Sequence, residues 1–320
     1  MNNSFFLEKI ENKIKEEKMK NLISMRDLSK EEILHLMEVA GKIEKGDVKV
    51  DMQRRLAALL FFEPSTRTMF SFDTAMKRMN GDTIIMSGTK NTSAKKGETF
   101  ADTLQTIAQY SDIIIMRSPI EGAARYASEV VDIPVVNAGD GANQHPTQAL
   151  LDLYSIKKTQ GTLENQTIGV AGDLKYGRTV HSLIQAMSLF GARFRFFSPR
   201  FLRIPQYIRD SLIEKEIVFD EFDENMKEIR DLDILYVTRI QKERFASSED
   251  SEKVQNSYHL TKEMLLESNV KPNLKVLHPL PRVKELDEDV DDTKFAYYFQ
   301  QAKNGVYMRQ AIIALLLGGV

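Results

Sequence analysis

The stretch "LAALLFFEPSTRTMFSFDTAMKRM" (residues 56–79) decides the fold class, because an apolar run leads through a short polar loop into an amphipathic segment. The run 56–62 is typical of a strand that is buried on both faces. Met69, Phe72, Met76 and Met79 then recur at a 3-4-3 spacing, which predicts a helix face beginning near residue 68. A strand followed directly by a helix is the repeating unit of α/β proteins with parallel sheets.

The same alternation continues through most of the chain. A capping box at Ser29 and Glu32 predicts the start of a helix over 31–43. Further strands are predicted at 83–86, 112–116, 133–137, 167–172, 193–197, 233–237 and 275–279, and further helices at 99–110, 147–159 and 178–192. Two strand–helix arrays joined by the helix near 147–160 indicate an α/β fold of two doubly wound parallel-sheet domains.

Composition limits the function classes. With 320 residues, two domains are expected, and a net charge of −2 gives no reason to predict binding to nucleic acid or to an anionic membrane. The absence of cysteine excludes disulfides and thiolate sites and fits a reducing compartment.

The N-terminus resembles an amphipathic helix (Ile10, Ile14, Met19, Leu22) rather than a signal peptide. The apolar segment 311–320 is too short to span a bilayer. We expect a cytoplasmic protein.

Arg67 lies at an unusual position. A cation in the first turn of a helix opposes the helix dipole, which costs on the order of 0.3–1 kcal/mol. Ser65, Thr66 and Thr68 place hydroxyl groups beside the backbone N–H groups of the same turn, and such a terminus binds anions. The alternative is that Ser65 or Thr66 simply caps the helix and that Arg67 extends into solvent.

Three other arginines follow predicted strands. Arg117 follows the strand 112–116, Arg178 follows 167–172 and Arg239 follows 233–237. The loop after 133–137 leads to His145 and Gln148. Because the carboxyl ends of parallel strands line the binding crevice, these side chains predict a pocket for ligands with several negative charges.

Other chemistries lack their sequence patterns. The chain contains no G-x-G-x-x-G turn, no G-x-x-x-x-G-K-[ST] loop and no G-x-S-x-G elbow. Its five histidines (35, 145, 181, 259 and 278) lack the paired spacing of a zinc site. The residues by themselves therefore predict an anion-binding α/β protein without cofactor or metal. The polar stretch 242–257 is predicted to be a long loop or a frayed helix.

Six ordered motifs resemble those of the aspartate carbamoyltransferase catalytic chains. They are "FEPSTRTMFSF", "TSAKKGETFADT", "NAGDGANQHPTQALLDLYSI", "GDLKYGRTVHSL", "TRIQKER" and "HPLPR". Ornithine carbamoyltransferases share the "STRT"-like and "HPTQ" elements but typically have "HCLP" where this chain has "HPLP" (278–281). The resemblance implies transfer of the carbamoyl group of carbamoyl phosphate to the amine of L-aspartate, which belongs to pyrimidine synthesis. A transcarbamoylase for another amine, such as ornithine, and a silent binding homologue are the alternatives.

The resemblance also implies roles for individual residues. The carbamoyl phosphate site would comprise Ser65, Thr66, Arg67, Thr68, Arg117, His145, Gln148, Leu280 and Pro281. Of these, Arg67 would neutralise the leaving phosphate, and Thr68, Arg117 and His145 would donate hydrogen bonds to the carbonyl oxygen. The carboxylates of aspartate would bind to Arg178, Arg239 and Gln241.

In such families a serine and a lysine enter the active site of the neighbouring subunit of a trimer. Ser93 and Lys96 match these roles, although Lys95 could take the place of Lys96. The resemblance further implies a homotrimer, with a separate regulatory chain left open. It also implies a discontinuous first domain, formed by 1–150 together with 298–320, and an aspartate-binding domain over 151–297.

Overall fold

The computed structural model describes residues 19–88, 97–223, 226–240 and 259–319. The first sheet is parallel throughout and has the strand order β2-β1-β3-β4. Its strands are β1 (Leu56–Phe61), β2 (Asp82–Ser87), β3 (Ile113–Ser118) and β4 (Val135–Asp140). Every residue of β4 is buried, as expected for a parallel strand covered on both faces.

Helices cover this sheet. They are α1 (Lys30–Lys45), α2 (Thr66–Arg78), α3 (Phe100–Ala108) and α4 (Ala123–Val130). The capping box of α1 is confirmed: the backbone N–H of Glu32 donates to Ser29 Oγ at 3.1 Å, and that of Ser29 donates to Glu32 Oε2 at 2.7 Å. The face of α2 predicted from its spacing is also confirmed, since Phe72 and Met76 are fully buried and Met79 follows them into the core.

The helix α5 (Pro146–Gln160) connects the two sheets, and its residues 146–156 are all buried. The second sheet, also parallel, has the order β7-β6-β5-β8-β9. Its strands are β5 (Thr167–Ala171), β6 (Arg193–Phe197), β7 (Phe219–Phe222), β8 (Ile234–Val237) and β9 (Lys275–Leu277). The helices α6 (Arg178–Ser188), α7 (Gln206–Glu214) and α8 (Lys262–Glu267) complete this lobe.

The C-terminal helix α9 (Tyr298–Leu317) leaves the second lobe and packs against α1, α2 and α5. Tyr298, Ile312 and Ile313 are buried in this helix. The apolar segment near the C-terminus is thus part of a core between helices. Within the described ranges, no helix is both long enough and apolar enough to cross a membrane.

Some sequence predictions were wrong or lie outside the described residues. Leu22 does not continue a helix but forms a parallel bridge with Val136, because its side chain is buried against the first sheet. Phe299, next to the buried Tyr298 on α9, is 56% exposed. Residues 1–18 and the stretch 242–257 lie outside the described residues.

Candidate active site

A cavity of about 600 Å³ lies where the carboxyl ends of strands from both sheets face each other. Its lining includes each predicted site residue that the structure describes: Ser65, Thr66, Arg67, Thr68, Arg117, His145, Gln148, Arg178, Arg239, Leu280 and Pro281. The remaining predicted residues, Ser93, Lys96 (with its alternative Lys95) and Gln241, lie outside the described residues. The structure thus brings together residues from six separate segments of the chain.

The first wall of the cavity is the N-terminus of α2. The helix begins at Thr66, and Ser65 occupies the N-cap position but makes no capping hydrogen bond with its side chain. The side chain of Ser65 therefore does not cap this helix. Burial and the nearby charge of Arg239 both lower the pKa of Arg67. Two cations held close together at a helix N-terminus favour the binding of an anion between them.

A carboxylate links two arginines from opposite lobes. Arg178 donates from Nη1 to Glu63 Oε2 at 3.1 Å and from Nη2 to Glu63 Oε1 at 3.3 Å. Arg117 donates from Nη2 to Glu63 Oε1 at 3.4 Å. Burial, together with the charge of Arg178, lowers the pKa of Arg117 to about 10. Arg117 thus remains cationic near neutral pH, and the Glu63 carboxylate compensates part of the charge of the arginine pair.

Gly139 makes room for this pair of arginines. Its φ is +117°, and a Cβ at this position would lie 3.2 Å from Arg117 Nη1 and 3.3 Å from Arg178 Cζ. Backbone carbonyls fix both guanidinium groups further: Arg117 Nη1 donates to Ala138 O at 3.3 Å, and Arg178 Nη1 donates to Gly141 O at 2.5 Å. A larger residue at 139 would displace the arginines from the cavity wall.

His145 precedes α5 and is buried. Burial and the charges of Arg117, Arg178 and Arg309 hold its pKa well below the ordinary value of 6.5. The imidazole is therefore neutral at physiological pH, with one nitrogen that donates and one that accepts. Such a ring is a weak base and a suitable neutral hydrogen-bond donor to a developing negative charge.

The segment 278–281 forms the wall that the second lobe contributes. Leu280 has a φ of +57°, a conformation that few residues with a side chain adopt. Its backbone N–H donates to His278 Nδ1 at 2.8 Å. Since Nδ1 accepts, the proton of the neutral ring lies on Nε2, which donates to Glu285 Oε1 at 2.9 Å. The histidine therefore holds the backbone of this turn in place.

The sequence reasoning missed a buried polar cluster behind the cavity. Asp152 is fully buried, and its Oδ1 accepts hydrogen bonds from Gln148 Nε2 at 2.8 Å and from Gln301 Nε2 at 2.6 Å. Its Oδ2 accepts from the hydroxyl of Tyr236 at 3.0 Å. Burial raises the pKa of Asp152 to about 7. A signal was present in the sequence, because Asp152 and Gln148 are four residues apart and share one face of an otherwise apolar helix.

Arg309 is a second residue that the sequence reasoning missed. It lies on α9, is 3% exposed and lines the cavity, with its guanidinium 5.0 Å from the ring centroid of Phe72. Burial lowers its pKa to about 10, so that it too is cationic at neutral pH. The available signal was an arginine two residues before the apolar segment 311–320.

The arrangement suits transfer of an acyl group between anionic substrates. Five arginines (67, 117, 178, 239 and 309) line one cavity together with the neutral His145 and the hydroxyl groups of Ser65, Thr66 and Thr68, among other residues. The described part of the chain contains no cluster of histidine and acidic side chains able to hold a metal ion. These groups can bind phosphate and carboxylates and can stabilise an oxyanion by hydrogen bonding.

Comparisons with known proteins agree with this chemistry. Residues 20–158 match the family described as aspartate/ornithine carbamoyltransferase, carbamoyl-P binding domain, and residues 164–316 match the Asp/Orn binding domain of the same family. The chain is 52% identical, over 93% of its length and 98% of the relative, to the aspartate carbamoyltransferase catalytic subunit of Chromobacterium violaceum.

Two solved structures are similar in fold. The catalytic subunit of M. jannaschii aspartate transcarbamoylase superposes with a TM-score of 0.86 at 47% identity, covering 94% of this chain and 98% of that one. The aspartate transcarbamoylase of Trypanosoma cruzi, solved in complex with carbamoyl phosphate and aspartate, gives a TM-score of 0.84 at 36% identity, covering 92% and 96%. Since two family models together span most of the chain, the protein belongs to the aspartate/ornithine carbamoyltransferase family.

Proposed function

We propose that this protein transfers the carbamoyl group of carbamoyl phosphate to the amine of L-aspartate, giving N-carbamoyl-L-aspartate and phosphate in pyrimidine synthesis. The observation that carries the proposal is the convergence of Arg67, Arg117, Arg178 and Arg239 with His145 in one cavity between the lobes. A phosphate and two carboxylates are the anions that such a cavity can neutralise together.

Carbamoyl phosphate occupies the half of the cavity formed by the first lobe. Its phosphate lies at the N-terminus of α2, where Ser65, Thr66, Arg67 and Thr68 surround it. Arg67 neutralises the charge that develops as phosphate leaves. This assignment is supported by the uncapped start of the helix and by the proximity of Arg67 to a second cation.

The carbonyl oxygen accepts hydrogen bonds from Thr68, Arg117 and His145, which stabilise the tetrahedral intermediate. His145 acts as a neutral donor rather than as a general base, because its depressed pKa makes it a poor proton acceptor.

Carbamoyl phosphate is already an activated acyl donor, and the neutral amine of aspartate attacks its carbonyl carbon directly. The amine proton passes to an oxygen of the departing phosphate. The carbamoyl NH₂ group is held by Gln148 and by the backbone of Leu280 and Pro281.

Aspartate occupies the side of the cavity nearer the second lobe. Arg178 and Arg239 bind its carboxylates, and Gln241 contributes beside them. A supporting observation is that Arg178 starts α6 in the second lobe, while Glu63 of the first lobe orients it by two hydrogen bonds. Ornithine, which carries a second amine in place of the second carboxylate, would leave one of these arginines uncompensated.

The active site is shared between subunits of a cytoplasmic homotrimer, with Ser93 and Lys96 (or Lys95 in its place) supplied by a neighbour. Residues 89–96 follow β2, which lies at the edge of the first sheet. On this side of the lobe Ile85 is 47% exposed and Phe70 is 56% exposed. An edge strand with exposed apolar side chains favours contact with a second copy. Whether a regulatory chain joins the trimer is left open.

The two domains are assigned as 1–150 with 298–320 and as 151–297. The return of α9 to pack against α1, α2 and α5 supports the discontinuous first domain. A change of domain in this part of the chain is further supported by the two matched family segments, 20–158 and 164–316, which meet at the end of α5 and the loop after it.

A product assay tests the proposed reaction. Purified protein is offered carbamoyl phosphate with L-aspartate or with L-ornithine, in buffer containing a chelator, and the carbamoylated products are separated and quantified. We expect carbamoyl aspartate and no citrulline. Citrulline as the main product would identify a different acceptor. Binding of carbamoyl phosphate without product from either amine would identify a silent homologue.

A further inference from the structure

Asp152 has no contact with the region where phosphate or aspartate is proposed to bind, yet it holds one of the side chains that face the carbamoyl group. It lies one turn after Gln148 on α5, and the two side chains are joined by a hydrogen bond of 2.8 Å. Both residues are buried, Asp152 completely and Gln148 to all but 8%. Gln148 lines the cavity, and Asp152 is behind it.

The chemistry of the carboxylate determines which way the amide of Gln148 turns. An ionised carboxylate only accepts hydrogen bonds, whereas a primary amide has a donating nitrogen and an accepting oxygen. Asp152 therefore selects the orientation in which Gln148 Nε2 faces it. The amide oxygen of Gln148 is then directed away from Asp152, where it serves the cavity as an acceptor.

The same carboxylate orients a second element of the carbamoyl site. Gln301 Nε2 donates to Asp152 Oδ1 at 2.6 Å, and Gln301 Oε1 accepts from the backbone N–H of His278 at 2.9 Å. His278 in turn accepts from the backbone N–H of Leu280 at 2.8 Å. Asp152 thus connects α5, through Gln301 of α9, to the turn 278–281 on the other side of the cavity.

We propose that Asp152 is a positioning residue that makes the enzyme specific for a carbamoyl group, by fixing Gln148 as a hydrogen-bond acceptor toward the substrate NH₂. This inference rests on the proposed function and on the assignment of Gln148 to the carbamoyl NH₂ group. Acetyl phosphate has nearly the same shape and charge as carbamoyl phosphate but carries a methyl group where the carbamoyl group has NH₂. A site with a fixed acceptor favours the ligand that donates, because a methyl group leaves the buried acceptor unpaired.

The variant Asp152→Asn tests the orientation directly. Asparagine has one accepting oxygen and one donating NH₂ group where aspartate has two accepting oxygens. It therefore cannot accept hydrogen bonds from Gln148, Gln301 and Tyr236 at the same time. When the NH₂ group takes the position of Oδ1, it donates to the oxygen of Gln148, which then turns its own NH₂ group toward the cavity. We expect the preference for carbamoyl phosphate over acetyl phosphate to fall by roughly ten-fold or more, as for other buried hydrogen bonds that are lost or reversed.

The measurement is the dissociation constant of each ligand for the full-length protein without aspartate at pH 8, by titration calorimetry. Inorganic phosphate is the third ligand, and we expect Asp152→Asn to leave its affinity unchanged. The matched control is Tyr236→Phe, which removes the hydrogen bond to Oδ2 but leaves both glutamine amides on Oδ1. We expect the control to keep the preference of the wild type.

A double variant separates positioning from general damage to the fold. If Asp152 acts through Gln148, adding Asp152→Asn to Gln148→Ala changes the preference little beyond the effect of Gln148→Ala alone. Equal loss of affinity for all three ligands would overturn the proposal, as would full additivity or an unchanged preference in Asp152→Asn. Should the asparagine variant fail to fold, Asp152→Glu displaces the carboxylate by one methylene, and an unchanged preference there would likewise overturn it.

The wild type distinguishes this inference from the proposed function. Absence of carbamoyl phosphate binding or of carbamoyl aspartate would refute the function itself. A wild type that makes carbamoyl aspartate but binds acetyl phosphate as tightly as carbamoyl phosphate would refute only the specificity assigned to Asp152.

Discussion

Arg178, the first residue of α6 in the second lobe, donates two hydrogen bonds to Glu63, which follows β1 in the first lobe. The same carboxylate accepts from Arg117 at 3.4 Å. Glu63 therefore holds one proposed ligand of carbamoyl phosphate and one proposed ligand of aspartate at a fixed separation. Its carboxylate also lowers the repulsion between two arginines that are both largely buried.

Replacement of the Glu63 carboxylate should affect the proposed aspartate ligand Arg178 more than the proposed carbamoyl phosphate ligand Arg117. We expect Glu63→Gln to raise the KM for aspartate by roughly ten-fold or more, because hydrogen bonds to charged groups contribute about 1.5–3 kcal/mol. Arg178 loses two bonds to a charged partner and Arg117 loses one, whereas each keeps its bond to a backbone carbonyl, Gly141 O and Ala138 O respectively. Steady-state kinetics with each substrate varied in turn gives the two KM values. Glu129→Gln, an exposed change on α4, is the control. Wild-type kinetics in Glu63→Gln would contradict this role.

Arg67 is the residue whose loss should affect turnover most. Its proposed contact is with the leaving phosphate, so the interaction strengthens as the transition state forms. We expect Arg67→Ala to lower kcat by about 10²–10³-fold, the range for loss of one charge-stabilising group. The fold should remain, because Arg67 lies in the first turn of α2 and faces the cavity.

The measurement is kcat at saturating substrates, with a thermal melt as a check of the fold. Arg200→Ala is the matched control, since the side chain of Arg200 is 84% exposed and lies outside the cavity. Normal turnover in Arg67→Ala would show that the start of α2 does not bind the leaving group. A large loss in the control would instead indicate an effect of charge alone.

The shared site predicts rescue between inactive variants. We expect Arg67→Ala and Lys96→Ala each to be nearly inactive, and mixed trimers formed after subunit exchange to recover part of the activity. In a mixed trimer, some interfaces combine an intact Arg67 from one subunit with an intact Lys96 from its neighbour. Lys95→Ala in place of Lys96→Ala tests which lysine is used. Lack of rescue with either lysine variant would argue against an active site that is completed by a neighbour.

The sequence was sufficient to predict the site residues whose positions depend on neighbouring strands and helices. Arg67, Arg178 and Arg239 each follow a strand, and Arg117 lies at the carboxyl end of β3. Because the parallel topology brings strand ends to one edge of the sheet, their convergence was foreseeable. Most strands were visible as short runs rich in apolar residues, whereas β7, which contains two acidic residues, was not predicted. The motifs that resemble a known family supplied the other predicted residues that line the cavity.

The cluster around Asp152 could not be predicted in the same way. Its partners Tyr236 and Gln301 are 84 and 149 residues away in sequence, and their contact depends on how α9 returns across the first lobe. The bridge between Leu22 and Val136 is likewise a long-range contact, which no local periodicity indicates. Helix α4 was missed because it is short and starts after Gly122, without a side-chain cap.

The raised pKa of Asp152 predicts a pH-dependent difference in stability between the wild type and Asp152→Asn. In the unfolded chain this carboxyl has its ordinary pKa of 3.8, whereas in the folded chain burial raises the pKa to about 7. Between these values the folded state binds a proton that the unfolded state does not. The wild type should therefore lose stability relative to the variant as the pH rises from about 4 to 7, with no further change above 7.

Chemical unfolding at a series of pH values measures this difference. The histidines with lowered pKa values, His145 and His278, contribute in the opposite direction, since their neutral folded forms lose stability as the pH falls below 6.5. Both are present in the wild type and the variant, so their contribution cancels in the difference. A difference that stays constant from pH 4 to 8 would mean that Asp152 is ionised throughout, with its three donors outweighing the cost of burial.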